Sequence, residues 1–333
     1  MDAADGARLA CWDLSRERSQ EGPVVLLAHG SGLNGCSWAP VGEHLSRGGF
    51  RPIAIDFRGH GASERSPDGD YDWELFASDV LAVVDQFGLA GGRVPAAGHP
   101  AGALAAGHPA GALAAGHPAG ALAAGHPAGA LAAGHSAGAT ALLLAEARRP
   151  GTFASLWAWE PIMSVPPGQV RVERSAELAS RARRRRSHFG SLDEARSHYA
   201  GRGIFADFDP AAFEAFLGAA LVPAAGTAGP GSGAGSSPAG YVLACDPEDE
   251  ARIYEASGTH DAWRALGAVR CPVRVLGGAL SPAVPPGDVG AIAGQLPAGQ
   301  AVIVPGLGHF GPFQAPAAIA RDILGWAQAT HAA

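Results

Sequence analysis

Gly134-His135-Ser136-Ala137-Gly138 is a G-x-S-x-G pentapeptide, and four near-copies of it stand directly upstream. The copies begin at Gly98, Gly107, Gly116 and Gly125, and each reads Gly-His-Pro-Ala-Gly-Ala-Leu-Ala-Ala. Pro100, Pro109, Pro118 and Pro127 occupy the place of the serine. In a G-x-S-x-G elbow the serine sits on a sharp, strained turn from strand to helix, with its hydroxyl presented outward. Proline has no hydroxyl and a fixed φ. The last copy is therefore the one expected to form the elbow. A strand over about Ala130 to Gly134 should lead into Ser136, and a helix over Ala137 to Arg148 should follow, closed by Pro150.

Outside the repeats the chain alternates apolar runs with helical patterns. Pro23 to Ala28 (PVVLLA) and Arg51 to Asp56 (RPIAID) read as buried parallel strands. Phe153 to Trp159, Pro272 to Leu276 and Ala301 to Val304 read as three more. Helices are expected over Tyr71 to Leu89 and Ala315 to Ala329. This rhythm implies an α/β fold with a mostly parallel sheet covered on both faces. Between about Val165 and Leu266 the strand rhythm stops. Helical segments over Glu173 to His188, Asp193 to Tyr199, Pro210 to Ala220 and Glu248 to Glu255 suggest an inserted helical cap. The expected division is a core of 1–164 and 267–333 and a cap of 165–266. Within these, 95–127 reads as an inserted repeat loop, and 223–240, nearly all Ala, Gly, Ser and Pro, as a disordered loop.

Composition narrows the function. The chain has 333 residues, a net charge of −7 and 47% hydrophobic residues, which gives no reason to expect nucleic acid as a partner. All 24 basic residues are arginine, which fits a GC-rich coding bias. The run Arg183 to Arg186 reads as a solvated helix face and not as a membrane site. Cys11, Cys36, Cys245 and Cys271 lack C-x-x-C spacing and read as small buried hydrophobes. His99, His108, His117 and His126 recur with the repeat and match no metal-ligand spacing. Neither a signal peptide nor a membrane span is visible. The expectation is a cytoplasmic protein acting on a small molecule, with no cofactor, no metal and no membrane partner. The oligomeric state is left open.

Three further motifs flank the strands. His29-Gly30-Ser31-Gly32 follows the first, and Asp56-Phe57-Arg58-Gly59-His60-Gly61 follows the second. Pro305-Gly306-Leu307-Gly308-His309-Phe310 follows the last. With the elbow, their order and spacing resemble the α/β-hydrolase superfamily, in the branch with a helical cap. That resemblance covers nearly the whole chain outside the repeat. It implies a serine nucleophile held at positive φ, a histidine base, an acid and an oxyanion hole.

Ser136 maps to the nucleophile and His309 to the base. The N–H groups of Ala137 and Ser31 map to the oxyanion hole. Many relatives carry the acid as an Asp after the penultimate strand, where this chain has Ser281. Others carry a Glu after the strand that follows the elbow helix, where this chain has Glu160. Glu160 is therefore assigned as the acid, with Asp261 and Asp288 as alternatives. Trp38, Trp159, Met163 and Phe310 are candidates to line an acyl pocket, and His29 and His60 read as structural. A serine in place of an aspartate nucleophile favours acyl transfer. A small carboxylic ester is the leading substrate class. C–C bond hydrolysis, perhydrolysis and a dead scaffold disrupted by the repeat are the alternatives. Deleting Gly98 to Ala133 is expected to be tolerated.

Overall fold

A computed structural model describes residues 1–16, 19–90, 129–165, 172–224 and 240–331. The expected repeat loop at 95–127 and most of the Gly/Ala/Ser/Pro loop at 223–240 lie outside the described residues.

The wholly apolar runs form strands as their composition dictates. In chain order the described strands are β1 Ala10–Asp13, β2 Val24–Ala28, β3 Arg51–Asp56, β4 Ala130–His135, β5 Phe153–Trp159, β6 His188–Phe189, β7 Leu221–Pro223, β8 Tyr241–Leu243, β9 Val273–Gly278 and β10 Gly299–Val304. Seven of them make one sheet in the order β1-β3-β2-β4-β5-β9-β10. All neighbours pair in parallel except β1, which runs antiparallel to β3 at the edge. Every residue of β2 is buried. Leu26 and Ala28 join the core on one face, and Val25 and Leu27 the core on the other. A strand buried on both faces has no polar side, so it reads as a continuous apolar run. Helices Trp73–Phe87, Ala137–Arg148 and Pro286–Gln295 cover the first face. Ala39–Arg47 and Pro316–His331 cover the second.

The strand feeding the elbow comes from the last copy of the repeat. Val25 pairs with Leu131 and Ala28 with Gly134 on one side, and Leu131 pairs with Ser155 and His135 with Trp159 on the other. β4 therefore lies at the centre of the sheet, where the elbow opens onto the C-terminal strand ends.

Residues between β5 and β9 fold over those strand ends. Helices Val172–Arg183, Leu192–Tyr199, Pro210–Ala220 and Pro247–Ala256 dominate this insertion. It is not purely helical: β6, β8 and β7 form a three-stranded antiparallel sheet. These strands are two or three residues long, too short to show periodicity in sequence. The helix expected to run to His188 stops at Arg183, and His188 enters β6. Three residues of the arginine run form ion pairs. Arg183 meets Glu248 and Glu255, Arg185 meets Glu250, and Arg186 meets Glu194. Among the described residues no helix is long and apolar enough to cross a membrane.

Candidate active site

Ser136 stands between β4 and the helix Ala137–Arg148 with φ of 56°. Its neighbours explain how the turn closes. A Cβ on Gly134 would lie 2.6 Å from the backbone of Ala139, and one on Gly138 would lie 2.4 Å from the Ala28 carbonyl oxygen. Both glycines are thus required by the close approach of strand, elbow and helix. The Ser136 N–H donates to the Trp159 carbonyl at 2.9 Å and fixes the turn against β5.

Glu160 is the other non-glycine residue at positive φ among the described residues, at 46°. It follows β5 directly, and its N–H donates to the Leu276 carbonyl at 2.8 Å. Strained backbone of this kind persists only where the surroundings hold it, and it clusters at functional sites. The carboxylate is fully buried. Its Oε1 accepts from the Gly278 N–H at 2.8 Å, and its Oε2 accepts from the Ser281 hydroxyl at 2.6 Å. Oε2 also lies 2.6 Å from Nδ1 of His309, whose Nε2 is 3.2 Å from the Ser136 Oγ. Serine, histidine and glutamate thus form one hydrogen-bonded chain. Asp261 precedes the short helix Ala262–Ala265 and pairs with Arg264, and Asp288 sits in the first turn of Pro286–Gln295. Glu160 is the carboxylate on His309.

Two donors hold the His309 backbone from below. Nε1 of Trp159 donates to the His309 carbonyl at 2.9 Å, and Nε2 of His135 donates to the same oxygen at 3.0 Å. That contact fixes the proton of His135 on Nε2, and burial pushes its pKa well below the ordinary histidine value. A neutral His135 can therefore lie against His309, ring centroids 4.7 Å apart, without charge repulsion.

The oxyanion candidates are the N–H groups of Ala137 and Ser31. Ala137 is the first residue of its helix and so keeps an N–H without an intrahelical acceptor. Ser31 lies in the turn after β2, closed by Leu33 N–H donating to the Gly30 carbonyl at 3.2 Å. A Cβ on Gly30 would lie 2.9 Å from the Ser136 Cβ, so only glycine lets this turn approach the nucleophile. His29 and His60 shape the turn. His60 Nε2 accepts the Gly32 N–H at 3.1 Å, and His29 Nε2 accepts the Phe57 N–H at 3.1 Å. Burial lowers the pKa of both. Asp56 ties the next residues down, accepting from Gly35 N–H at 2.6 Å and Ala62 N–H at 2.8 Å.

The four pocket candidates divide. Trp38 is fully buried, with its ring 5.4 Å from Phe313, and Trp159 lies beneath Gly311, stacked on Trp157 at 5.8 Å. Both are packed in the core, which differs from the expected pocket lining. Indoles this large at strand and helix ends fill the space under the site and do not open onto it. Met163 is 2% exposed within the core under the elbow helix. Phe310 retains exposed surface beside His309, at 5.0 Å between ring centroids. Ser281 and His135 are the site residues that sequence reasoning did not assign. Ser281 was visible only as a missing carboxylate, and His135 only as the variable residue of the pentapeptide.

Away from the site, His260 stacks on Trp73 at 4.5 Å, and burial lowers its pKa to about 4. A histidine whose folded pKa is depressed takes up its proton first in the unfolded chain. Its contribution to stability is complete above about pH 6.5 and is lost as the pH falls toward 4. Denaturant unfolding of the wild type should therefore weaken more steeply with acid than that of His260→Gln. The curves should diverge by up to about 1.4 kcal/mol per pH unit. The raised carboxyls of Asp56 and Asp79 act with the opposite sign, and they cancel in this difference. Parallel curves from pH 7 to pH 4.5 would show that His260 titrates normally in the fold.

A family model described as alpha/beta hydrolase fold matches residues 23–91. That segment holds β2, the turn with Gly30 and Ser31, β3 and the Asp56 motif, and it stops short of the repeat. A stretch of 72 residues is 38% identical to the bifunctional esterase/perhydrolase DCH of Acinetobacter calcoaceticus, covering 22% of this chain and 26% of that protein. Another of 66 residues is 42% identical to protein phosphatase methylesterase 1 of Mus musculus, covering 20% and 17%. The chain thus spans about a quarter or less of the length of these two curated relatives in the matched segments. The crystal structure of E-2-(acetamidomethylene)succinate hydrolase superposes with a TM-score of 0.69 at 19% identity, over 97% of this chain and 98% of that one. That likeness is one of fold.

Proposed function

Because the chain belongs to the α/β-hydrolase superfamily, we propose that it is a serine hydrolase of small carboxylic esters, acting through an acyl-enzyme on Ser136. The observation that carries this reading is the chain of contacts from Ser136 Oγ through His309 to the buried Glu160. A serine hydroxyl is a weak nucleophile until a neighbouring base takes its proton.

The steps follow from the geometry. Ser136 Oγ attacks the ester carbonyl carbon, and its proton passes to His309 Nε2. The buried Glu160 side chain accepts Nδ1–H, stabilises the imidazolium and holds the ring in the tautomer that leaves Nε2 free to accept. The carbonyl oxygen becomes an oxyanion between the Ala137 and Ser31 N–H groups, an interaction that commonly contributes about 3 kcal/mol per donor. The tetrahedral species collapses, the C–O bond to the alcohol breaks, and His309 returns the proton to the departing oxygen. Water then enters, loses its proton to His309 and attacks the acyl carbon. The acid is released and Ser136 recovers its hydroxyl. Hydrogen peroxide in place of that water would give a peracid, and perhydrolase is one of the two activities in the name of the Acinetobacter relative.

A fluorophosphonate probe tests the reading directly. It should label the wild type at Ser136 and leave Ser136→Ala unlabelled. Absence of labelling in folded wild-type protein would leave the chain a scaffold without a working nucleophile.

A further inference from the structure

Two strand ends meet at His309. Glu160 follows β5 and turns its carboxyl to Nδ1 of His309, while Ser281 stands in the turn after β9. β5 and β9 are neighbours in the sheet, with Trp159 opposite Leu276, so the two turns leave it side by side. The Ser281 hydroxyl lies 2.6 Å from Glu160 Oε2. That is the same oxygen that meets His309 Nδ1 at 2.6 Å.

The direction of the hydroxyl is set by its surroundings. Ser281 Oγ accepts the Ala283 N–H at 3.1 Å. A lone pair is thus occupied, and the one hydroxyl proton goes to Oε2. The turn that carries Ser281 is held against the base loop. Ser281 N–H donates to the Gly278 carbonyl at 3.0 Å, and Leu280 N–H donates to the Leu307 carbonyl at 2.9 Å. A Cβ on Gly278 would lie 2.3 Å from that Leu307 oxygen, so turn and loop pack with no room for a side chain between them. Ser281 is therefore fixed relative to His309 as well as to Glu160.

The carboxyl needs such a guide. The last torsion of a glutamate side chain is broad and roughly two-fold, so its rotamer alone does not fix the plane of the two oxygens. Gly278 N–H holds Oε1 at 2.8 Å, and Ser281 O–H holds Oε2 at 2.6 Å. One donor on each oxygen sets that plane, with Oε2 turned to His309. Glu160 is 0% and Ser281 9% exposed, so water has little access to replace the hydroxyl.

We propose that Ser281 is a positioning residue for the reaction. It acts through Glu160, holding Oε2 on His309 Nδ1 while the imidazolium forms, and it touches neither substrate nor reacting atoms. This inference rests on the serine-hydrolase reading and adds a fourth member to the hydrogen-bonded chain of Ser136, His309 and Glu160.

The test is a double-mutant cycle read on a p-nitrophenyl ester. Misplacing a group by about 1 Å costs on the order of 100-fold, and with the Gly278 anchor intact Ser281→Ala should lower kcat about 10- to 30-fold. KM should change less than about twofold, because substrate binding does not use Ser281. Ser281→Thr, which keeps the hydroxyl, should recover most of the loss. In a Glu160→Gln background Ser281→Ala should cost less than about threefold, since the carboxyl that the hydroxyl aims is gone. The rate of fluorophosphonate labelling draws on the same base and should follow the same pattern. A hydroxyl that only supports its turn would lower kcat by the same factor in both backgrounds, and that result overturns the proposal. Ser281→Ala with wild-type kcat overturns it too. If Ser281→Ala does not fold, Ser281→Cys, which keeps the volume and offers a weak donor, goes through the same cycle. A wild type that labels and turns over ester while Ser281→Ala is unimpaired loses this inference alone. A folded wild type that neither labels nor hydrolyses removes the serine-hydrolase reading and this inference with it.

Discussion

Ser136→Ala should reduce ester hydrolysis by about 10⁵-fold or more, with folding and cap packing unchanged. The substitution removes the Oγ that lies 3.2 Å from His309 Nε2 and leaves the backbone of the elbow in place. Alanine at φ 56° carries the same steric strain as serine, so the change isolates chemistry from fold. His309→Ala should cost about the same, because nucleophile and base act as a unit and their losses do not add.

Glu160→Gln should cost less, on the order of 10³–10⁴-fold, since the amide can satisfy geometry but not charge. It also changes the hydrogen-bond balance. Glu160 accepts from Gly278 N–H, Ser281 O–H and His309 Nδ1–H, and a carboxylate can take all three. A glutamine offers one acceptor oxygen and two donors, so at least one of these partners faces an N–H. The Ser281 hydroxyl can rotate, but the Gly278 N–H cannot. The predicted result is a lower kcat with little change in KM. Near-normal turnover in Glu160→Gln would mean that another group polarises His309.

The parts of this site that could be read from sequence are those fixed by local chain chemistry. Wholly apolar runs such as Val24–Ala28 announce a strand buried on both faces. A G-x-S-x-G at the end of one announces the turn that follows. Glu160, by contrast, was assigned through the family resemblance, from its place directly after β5. What sequence could not show depends on contacts across the fold. Ser281 looked like an empty acid position, yet its hydroxyl is 2.6 Å from the Glu160 carboxyl that meets His309. His135 clamps a carbonyl 174 residues away, and nothing local marks it. Helix Ala39–Arg47 escaped notice because Pro40 and Gly42 depress its propensity. Proline is tolerated in the first turn, and Gly42 has no room for a side chain against Leu14. The edge strand β1 gains its place by pairing with β3, not from its own four residues.

The register of β4 also changes what should be expected of shortened chains. Removing the 36 residues Gly98 to Ala133 joins Ala97 to Gly134. The strand into Ser136 then reads Val94-Pro95-Ala96-Ala97, and Pro95 takes the place of Leu131. That place lies in the centre of the sheet, paired with Val25 on one side and Ser155 on the other, with Leu131 only 2% exposed. Proline there deletes a ladder donor and leaves part of the leucine volume unfilled. The expected cost is about 2–5 kcal/mol, so this deletion should be poorly tolerated, contrary to what the repeat pattern alone suggests. Removing the 27 residues Gly98 to Ala124 behaves differently. It keeps Gly125 to Ala133 and with them Ala130, Leu131, Ala132 and Ala133, so every β4 residue and its pairing survive. This shorter deletion should preserve fluorophosphonate labelling and raise or maintain the melting temperature. The 36-residue deletion should lower that temperature by several degrees, and Pro95→Leu in the same background should restore it. Equal stability of the two deletions would show that the chain can feed Ser136 from a different register than Val25 opposite Leu131.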